Sequence, residues 1–249
     1  RTCLVGSEMC IRDRYIYNLK MKWNTKFNYP KSSRSNEDGM RKYLSGDEKY
    51  PSVTSILSLT KSEEDKASLE LWKQRVGYKE ANRIKNDASR RGTSLHSYIE
   101  DYLRGRVNES FFESNEQHKN MAKVIIENGI KGKLEEIYGM EATLINTRDK
   151  YAGTADLIGI YRGNLTILDF KQANRPKKAD YIQDYFLQLG AYTLAHNIVY
   201  KTNISSGVIL LCTVDNLFQD FIIEGSELLM YQNLFLGRLK IFNDLKNSA

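Results

Sequence analysis

The sequence predicts an α/β protein with a central mixed β-sheet flanked by helices and an added N-terminal helical region. Three observations carry that expectation. Apolar residues recur at roughly helical spacing in the first half, as at Met121, Val124, Ile125 and Ile130. The period then shortens between Met140 and Lys171, where three apolar runs are separated by the short polar turns TRDKY and RGN, as in an antiparallel meander. Helical spacing returns after that, followed by a second pair of strand-like runs and a closing amphipathic helix.

The N-terminal RTCLVGSEMCIRDR matches neither an amphipathic helix nor the charged-then-apolar layout of a signal peptide. It resembles the translated adapter read-through found at the ends of metagenomic gene models. A non-native leader is therefore expected over 1–20, with Met21 as the native start and 21–249 as one domain. Residues 23–50 are polar, with SSRSNEDG at 32–39, and read as an extended arm or loops. Helices are expected from Pro51 through PSVTSIL, over 62–86, over 88–103 through RRGTSLHSYIEDYL, and over 116–138, making a helical region of about 51–138. The core of the domain, about 139–249, then reads as strands MEATLIN (140–146), GTADLIGIY (153–161) and LTILDFK (165–171). A helix over 180–200, the strand pair SGVILLCTV and LFQDFIIE, and a helix over 227–245 complete it.

Composition bounds the function only loosely. The chain has 249 residues, 41% hydrophobic and 27% charged, which is ordinary for a globular domain with a sizeable core. No run approaches the roughly 18–20 apolar residues of a membrane helix. The net charge of +6 leans mildly towards an acidic partner such as nucleic acid. With Cys3 and Cys10 assigned to the leader, only Cys212 remains. One cysteine makes no disulfide framework, four-cysteine zinc site or iron–sulfur cluster, and a reducing cytoplasm fits best.

Chemistry concentrates between Gly153 and Tyr192. Asp169 and Lys171 stand two apart on an expected strand, so both side chains leave one face while Phe170 goes to the other. A carboxylate and an ammonium in so apolar a run cost several kcal/mol to bury unless paired or bound to metal. Asp156 interrupts the preceding strand in the same way, and a hairpin can bring it against Asp169. Two such carboxylates repel unless a divalent cation neutralises them, and hard oxygen ligands suit Mg²⁺ or Mn²⁺. A metal there can activate water against a phosphodiester, and Lys171 can orient or deprotonate that water or neutralise the phosphate. Taken alone, D-x-K is a weak signal, more often a buried ion pair, with Asp156 capping a turn.

In combination the motifs are more specific. GTAD, DFK twelve residues on, and the Q-x-x-x-Y of QLGAY resemble the PD-(D/E)XK nuclease superfamily, in its RecB-like exonuclease branch. Within that branch the wording resembles mitochondrial genome maintenance exonucleases and their phage relatives. RRGTSLHSYIEDYL likewise resembles the G-T-x-x-H helix of the branch. The resemblance covers roughly residues 90–197 and implies a restriction-endonuclease-like core. It implies metal ligation by His96, Asp156, Asp169 and the Phe170 carbonyl, with Glu141 carried over more weakly. It implies Lys171 as the catalytic lysine, supported by Gln188 and Tyr192, which spacing places on one helix face. Glu100, one turn after His96, reads as a surface or supporting residue, and His118 and His196 as incidental.

The stretch NRPKKADYIQDYF sets Arg175, Lys177 and Lys178 before Tyr181, Tyr185 and Phe186. Basic groups track phosphates while aromatics stack on splayed bases, and Arg90 and Arg91 beside the histidine motif add to that surface. The resemblance thus implies a Mg²⁺- or Mn²⁺-dependent deoxyribonuclease without an iron–sulfur cluster. It would be an exonuclease on single-stranded DNA or DNA ends in the cytoplasm of a bacterial or phage-infected cell, with a role in recombination, replication, repair or host-DNA degradation by analogy with the phage relatives. Alternatives are a structure-selective or restriction-type endonuclease on the same core, a non-catalytic DNA-binding protein, and a purely structural domain.

Overall fold

The three apolar runs form the middle of a six-stranded mixed sheet in a computed structural model that describes residues 21–37, 39–107 and 116–248. The expected leader, with Cys3 and Cys10, lies outside those residues. Strands β5 (Leu134–Asn146), β6 (Tyr151–Tyr161) and β7 (Asn164–Ala173) make the antiparallel meander. Strand β8 (Ser206–Thr213) joins β7 in parallel, and β9 (Phe218–Glu224) pairs antiparallel with β8. Parallel neighbours need a crossover, supplied here by helix α5 (Gln183–Tyr200). A two-residue strand, β1 (Lys22–Trp23), lies parallel to the outer edge of β5.

Two apolar layers cover the sheet. On one face α1 (Val53–Leu59), α5 and α6 (Gly225–Asn247) bury Ile56, Leu189 and Phe235 against Ile158, Ile167 and Ile209. On the other, α3 (Tyr78–Leu103) and α4 (Gln117–Ile125) bury Leu95, Ile99 and Met121 against Leu168, Phe170 and Leu210. The helices before the meander therefore contribute to both flanking layers. Helix α5 has no clean polar face because it is buried on both sides, between the sheet and α6. Gly190 makes that sandwich possible, since a Cβ there would stand 2.8 Å from the Tyr231 backbone.

Several expectations change. The polar stretch 23–50 is not only arm and loops, because β2 (Arg34–Glu37), β3 (Met40–Ser45) and β4 (Glu48–Pro51) form a separate antiparallel sheet. Pro51 ends β4, and Ser52 caps α1 by accepting a hydrogen bond from the Ser55 N–H. The helices expected over 62–86 and 88–103 are divided elsewhere. Gly77, with φ of 87°, separates α2 (Glu63–Val76) from an α3 that runs unbroken through residue 87. The helix expected over 116–138 ends early: α4 widens into a π-turn (Ile126–Ile130), and Leu134 already starts β5. Among the described residues no helix is long and apolar enough to cross a membrane.

His196, read as incidental, is a buried structural pin. It bonds to the Tyr29 hydroxyl at 3.0 Å and the Thr202 hydroxyl at 2.8 Å, in an aromatic cluster with Phe27 and Tyr200 that fastens the N-terminal segment to α5. Burial pushes its pKa down to about 4 from 6.5. Below pH 6.5 the unfolded chain takes up a proton that the folded one refuses, so stability is full above that pH and falls towards pH 4, by about 3 kcal/mol. Urea midpoints from pH 7.5 to 4.5 are expected to drop more for the wild type than for His196→Gln. Parallel curves would contradict this role.

Candidate active site

Three acids line up on one rung of the sheet. The β5–β6 register, Met140 to Leu157 and Ala142 to Ala155, sets Glu141 opposite Asp156. The β6–β7 register ends at Leu157 and Leu168, which sets Asp156 opposite Asp169 one step beyond the last paired residues. The strands part at this step. The Phe170 N–H donates instead to Asp156 Oδ2 at 2.8 Å, and the Phe170 carbonyl meets His96 Nε2 of α3 at 2.9 Å. The N–H and C=O of one strand residue point the same way, so both backbone groups of Phe170 are used to hold the site while its ring packs under α3 and α4.

Glu141 marks a break in the pleat at this rung. It adopts a left-handed φ of 48° inside β5, a conformation that costs a non-glycine residue about 1–3 kcal/mol. Across it the strands change faces. Met140 and Leu157 pack on the α3–α4 side, whereas Ala142 and Ala155 pack on the α1–α5–α6 side. A regular pleat would keep residues two apart on one face. The irregularity goes with the placing of Glu141 and Asp156 within reach of His96 on α3.

His96 Nδ1 lies 3.6 Å from Asp156 Oδ1 and 3.9 Å from Glu141 Oε1. Ligand atoms of His96, Glu141 and Asp156 all fall within 4.8 Å of one another, so the three could hold a metal ion. Burial works against a charged His96, but the Asp156 and Glu141 carboxylates outweigh it and push the pKa up to about 9. Burial, with the neighbouring Asp169 carboxylate, raises the pKa of Asp156.

Asp169 sits deeper, 2% exposed, and outside that trio. Its carboxylate accepts no hydrogen bond among the described residues and is held by an ion pair with the Lys171 ammonium. Burial disfavours that ammonium, but Asp169 and Asp156 prevail and hold its pKa above the ordinary value. The Tyr185 ring lies 5.1 Å from Lys171 Nζ. A carboxylate with unsatisfied oxygens beside an oxygen-rich trio with one imidazole fits a hard divalent cation.

The remaining expected residues take distinct places. Gln188 Nε2 donates to the Tyr192 hydroxyl at 3.0 Å, within α5. Arg91 bonds to Gln172 at 2.7 Å and to Asn174, at the end of β7. Arg90 faces solvent and pairs with Asp87. Arg175, Lys178 and Tyr181 are exposed after β7, where the Gln219 side chain holds both backbone groups of Lys177. Phe186 is core and not a surface aromatic. Glu100 pairs with Arg104 at 2.7 Å, and His118 with Glu116.

Some residues at the site gave no individual signal in the sequence. A Cβ on Gly153 would stand 2.3 Å from the Tyr192 ring, so this glycine lets the ring lie on β6. Thr154 bonds to the Tyr43 hydroxyl at 2.9 Å and to Arg34 at 3.0 Å, tying the small sheet to β6. Only the smallness of G-T-A before Asp156 hinted at close packing.

Comparison with curated proteins gives a consistent result. Mitochondrial genome maintenance exonuclease 1 of Mus musculus is 27% identical over 175 residues, covering 66% of this chain and 50% of the mouse protein. The Homo sapiens protein is 27% identical over 180 residues, covering 66% and 49%. This chain is a distant homologue of the mitochondrial genome maintenance exonucleases. It spans about half the length of those relatives. No protein-family model matches. Among solved structures, a Eubacterium rectale protein provisionally named an exonuclease aligns over 65% of this chain and 68% of its own, with 11% identity and a TM-score of 0.43. The homology to the mitochondrial genome maintenance exonucleases comes from sequence alignment, and the grouping of His96, Glu141 and Asp156 from the fold.

Proposed function

We propose that the chain is a Mg²⁺- or Mn²⁺-dependent deoxyribonuclease, an exonuclease hydrolysing phosphodiester bonds of single-stranded DNA or of DNA ends. The observation that carries it is the rung Glu141–Asp156–Asp169, set where the β6–β7 pairing ends and faced by His96 and Lys171. The homology to exonucleases points the same way. His96, Glu141, Asp156 and Asp169 would hold the cation, with the Phe170 carbonyl beside them. When bound, the cation supplies positive charge opposite the phosphate and makes water acidic enough to serve as nucleophile at neutral pH.

The protein groups divide the rest of the work. Lys171, held charged by Asp169 and Asp156, offers its ammonium as a hydrogen-bond donor and counter-charge. Gln188 and Tyr192 support the acids, because the bonded pair lies on Gly153 with the Tyr192 hydroxyl near Asp169 and Asp156. Arg90, Arg91, Arg175, Lys177 and Lys178 attract phosphates, and Tyr181 and Tyr185 offer faces for bases.

The test follows end-labelled linear single-stranded DNA with Mg²⁺, Mn²⁺ or EDTA, beside a circular single strand. The linear DNA is expected to disappear only with metal while the circle survives. Cleavage of the circle would replace the exonuclease by an endonuclease, and survival of both would contradict the enzyme altogether.

A further inference from the structure

Arg34 of β2 has an unusual setting for a surface arginine. Its guanidinium donates to Thr154 Oγ1 at 3.0 Å and lies 5.5 Å from the centre of the Tyr43 ring, stacked against a residue that is itself 2% exposed. Tyr43 bonds to the same Thr154 hydroxyl at 2.9 Å. Among the described residues no carboxylate pairs with Arg34, although β2 carries Glu37, whose carboxylate is taken by Lys42 and Lys49. The guanidinium is thus oriented by a hydroxyl and a ring while its charge stays unneutralised.

The hydroxyl it bonds belongs to the strand that carries the acid rung. Thr154 precedes Asp156 by two residues on β6, a separation of about 7 Å along a strand. Such a distance is comparable to the step from one phosphate to the next along an extended single strand. A fixed guanidinium fork matches the two free oxygens of a phosphodiester, which a flexible ammonium meets only as a point charge.

We infer that Arg34, oriented by Thr154 and Tyr43, forms a phosphate subsite that holds the nucleic-acid strand next to the bond being cut. The β2–β4 sheet is then part of the substrate-binding surface, not only a brace for β6. This inference rests on the proposed nuclease activity and goes beyond it by naming a contact outside the metal centre. It gives the small sheet a role: Arg34 is placed by β2, and the Tyr43 hydroxyl on β3 fixes the hydroxyl that orients it.

The experiment compares the wild type, Arg34→Gln and Arg34→Lys on one linear single-stranded oligonucleotide with Mn²⁺, with melting curves to confirm the fold. Arg34→Gln is expected to raise KM about tenfold while kcat stays within about twofold. Arg34→Lys is expected to recover only part of that loss. The slope of log binding constant against log salt, measured with Ca²⁺ in place of Mn²⁺, should fall by about one for Arg34→Gln. An active wild type with unchanged KM and salt slope in Arg34→Gln would overturn the subsite and leave the nuclease intact. Inactive wild type would overturn the nuclease reading itself. Thr154→Val provides a second check, because it removes the orienting hydroxyl and keeps the charge. It should raise KM without changing the salt slope, and an unchanged KM in Thr154→Val would show that the contact orients nothing.

Discussion

Lys171→Ala is expected to hydrolyse DNA about a thousandfold more slowly than the wild type, the range set by losing a positioned hydrogen-bond donor and counter-charge. The strand pattern alone suggests that this variant keeps an undisturbed fold. Burial of Asp169 adds a cost, because removing Lys171 leaves a carboxylate 2% exposed with no hydrogen bond among the described residues. Breaking such a pair from one side destabilises by about 3 kcal/mol, and the metal-free protein should melt roughly 10 °C lower. Asp169→Asn in the same chain should return much of the stability and none of the activity. A Lys171→Ala protein that cuts at the wild-type rate would refute the mechanism. One that melts with the wild type would show that Asp169 does not depend on the ion pair.

Gly153→Ala is the second large effect. The new Cβ would lie 2.3 Å from Tyr192 Cε1, and the ring is buried in a tight layer where it cannot swing clear. Overpacking of this kind costs about 1–3 kcal/mol. Whatever movement relieves it also pulls the Tyr192 hydroxyl from Gln188. A drop in melting temperature of about 5 °C should therefore accompany a fall in cleavage rate. Tyr192→Leu added to Gly153→Ala should restore stability but not the rate. If Gly153→Ala melts and cuts like the wild type, the ring does not hold its observed place.

The core of the fold was legible because its signals are strong and local. GTADLIGIY and LTILDFK are long apolar runs with acids at fixed steps, and the turns between them are short. Their pairing in the sheet follows the expected meander. The start of β5 was not legible. Ile126, Ile130, Leu134 and Ile137 stand at steps of four, four and three, which fits a helix, and all four pack in one core. Register shifts between Leu134 and Glu136 and between Ile137 and Gly139 stretch the strand's inward spacing to three. Bulges thus imitated the helical period.

The small sheet was missed for another reason. Strands β2, β3 and β4 span four to six residues and bury little beyond Tyr43 and Tyr50. They carry no apolar alternation, although Asp38–Gly39 and Gly46–Asp47 are turn signals that could have pointed to two hairpins. At the site, residue types and spacing identified acids and a lysine, but not their grouping. Glu141 was the weakest candidate, yet the left-handed turn of its backbone places it with His96 and Asp156. Asp169, a strong candidate, lies deeper and faces Lys171. Pattern reading assumes a regular pleat, and this pleat breaks at the rung that matters.

The most direct test of the metal centre is a Mn²⁺ titration of the wild type and of Asp156→Asn, following free Mn²⁺ by electron paramagnetic resonance. The wild type should deplete the free ion, and the variant should bind at least about tenfold more weakly, since losing a ligand costs no less than losing a group that merely supports one. Equal uptake by both proteins, or none by either, would contradict the assignment of the Glu141–Asp156–Asp169 rung as a metal-binding site.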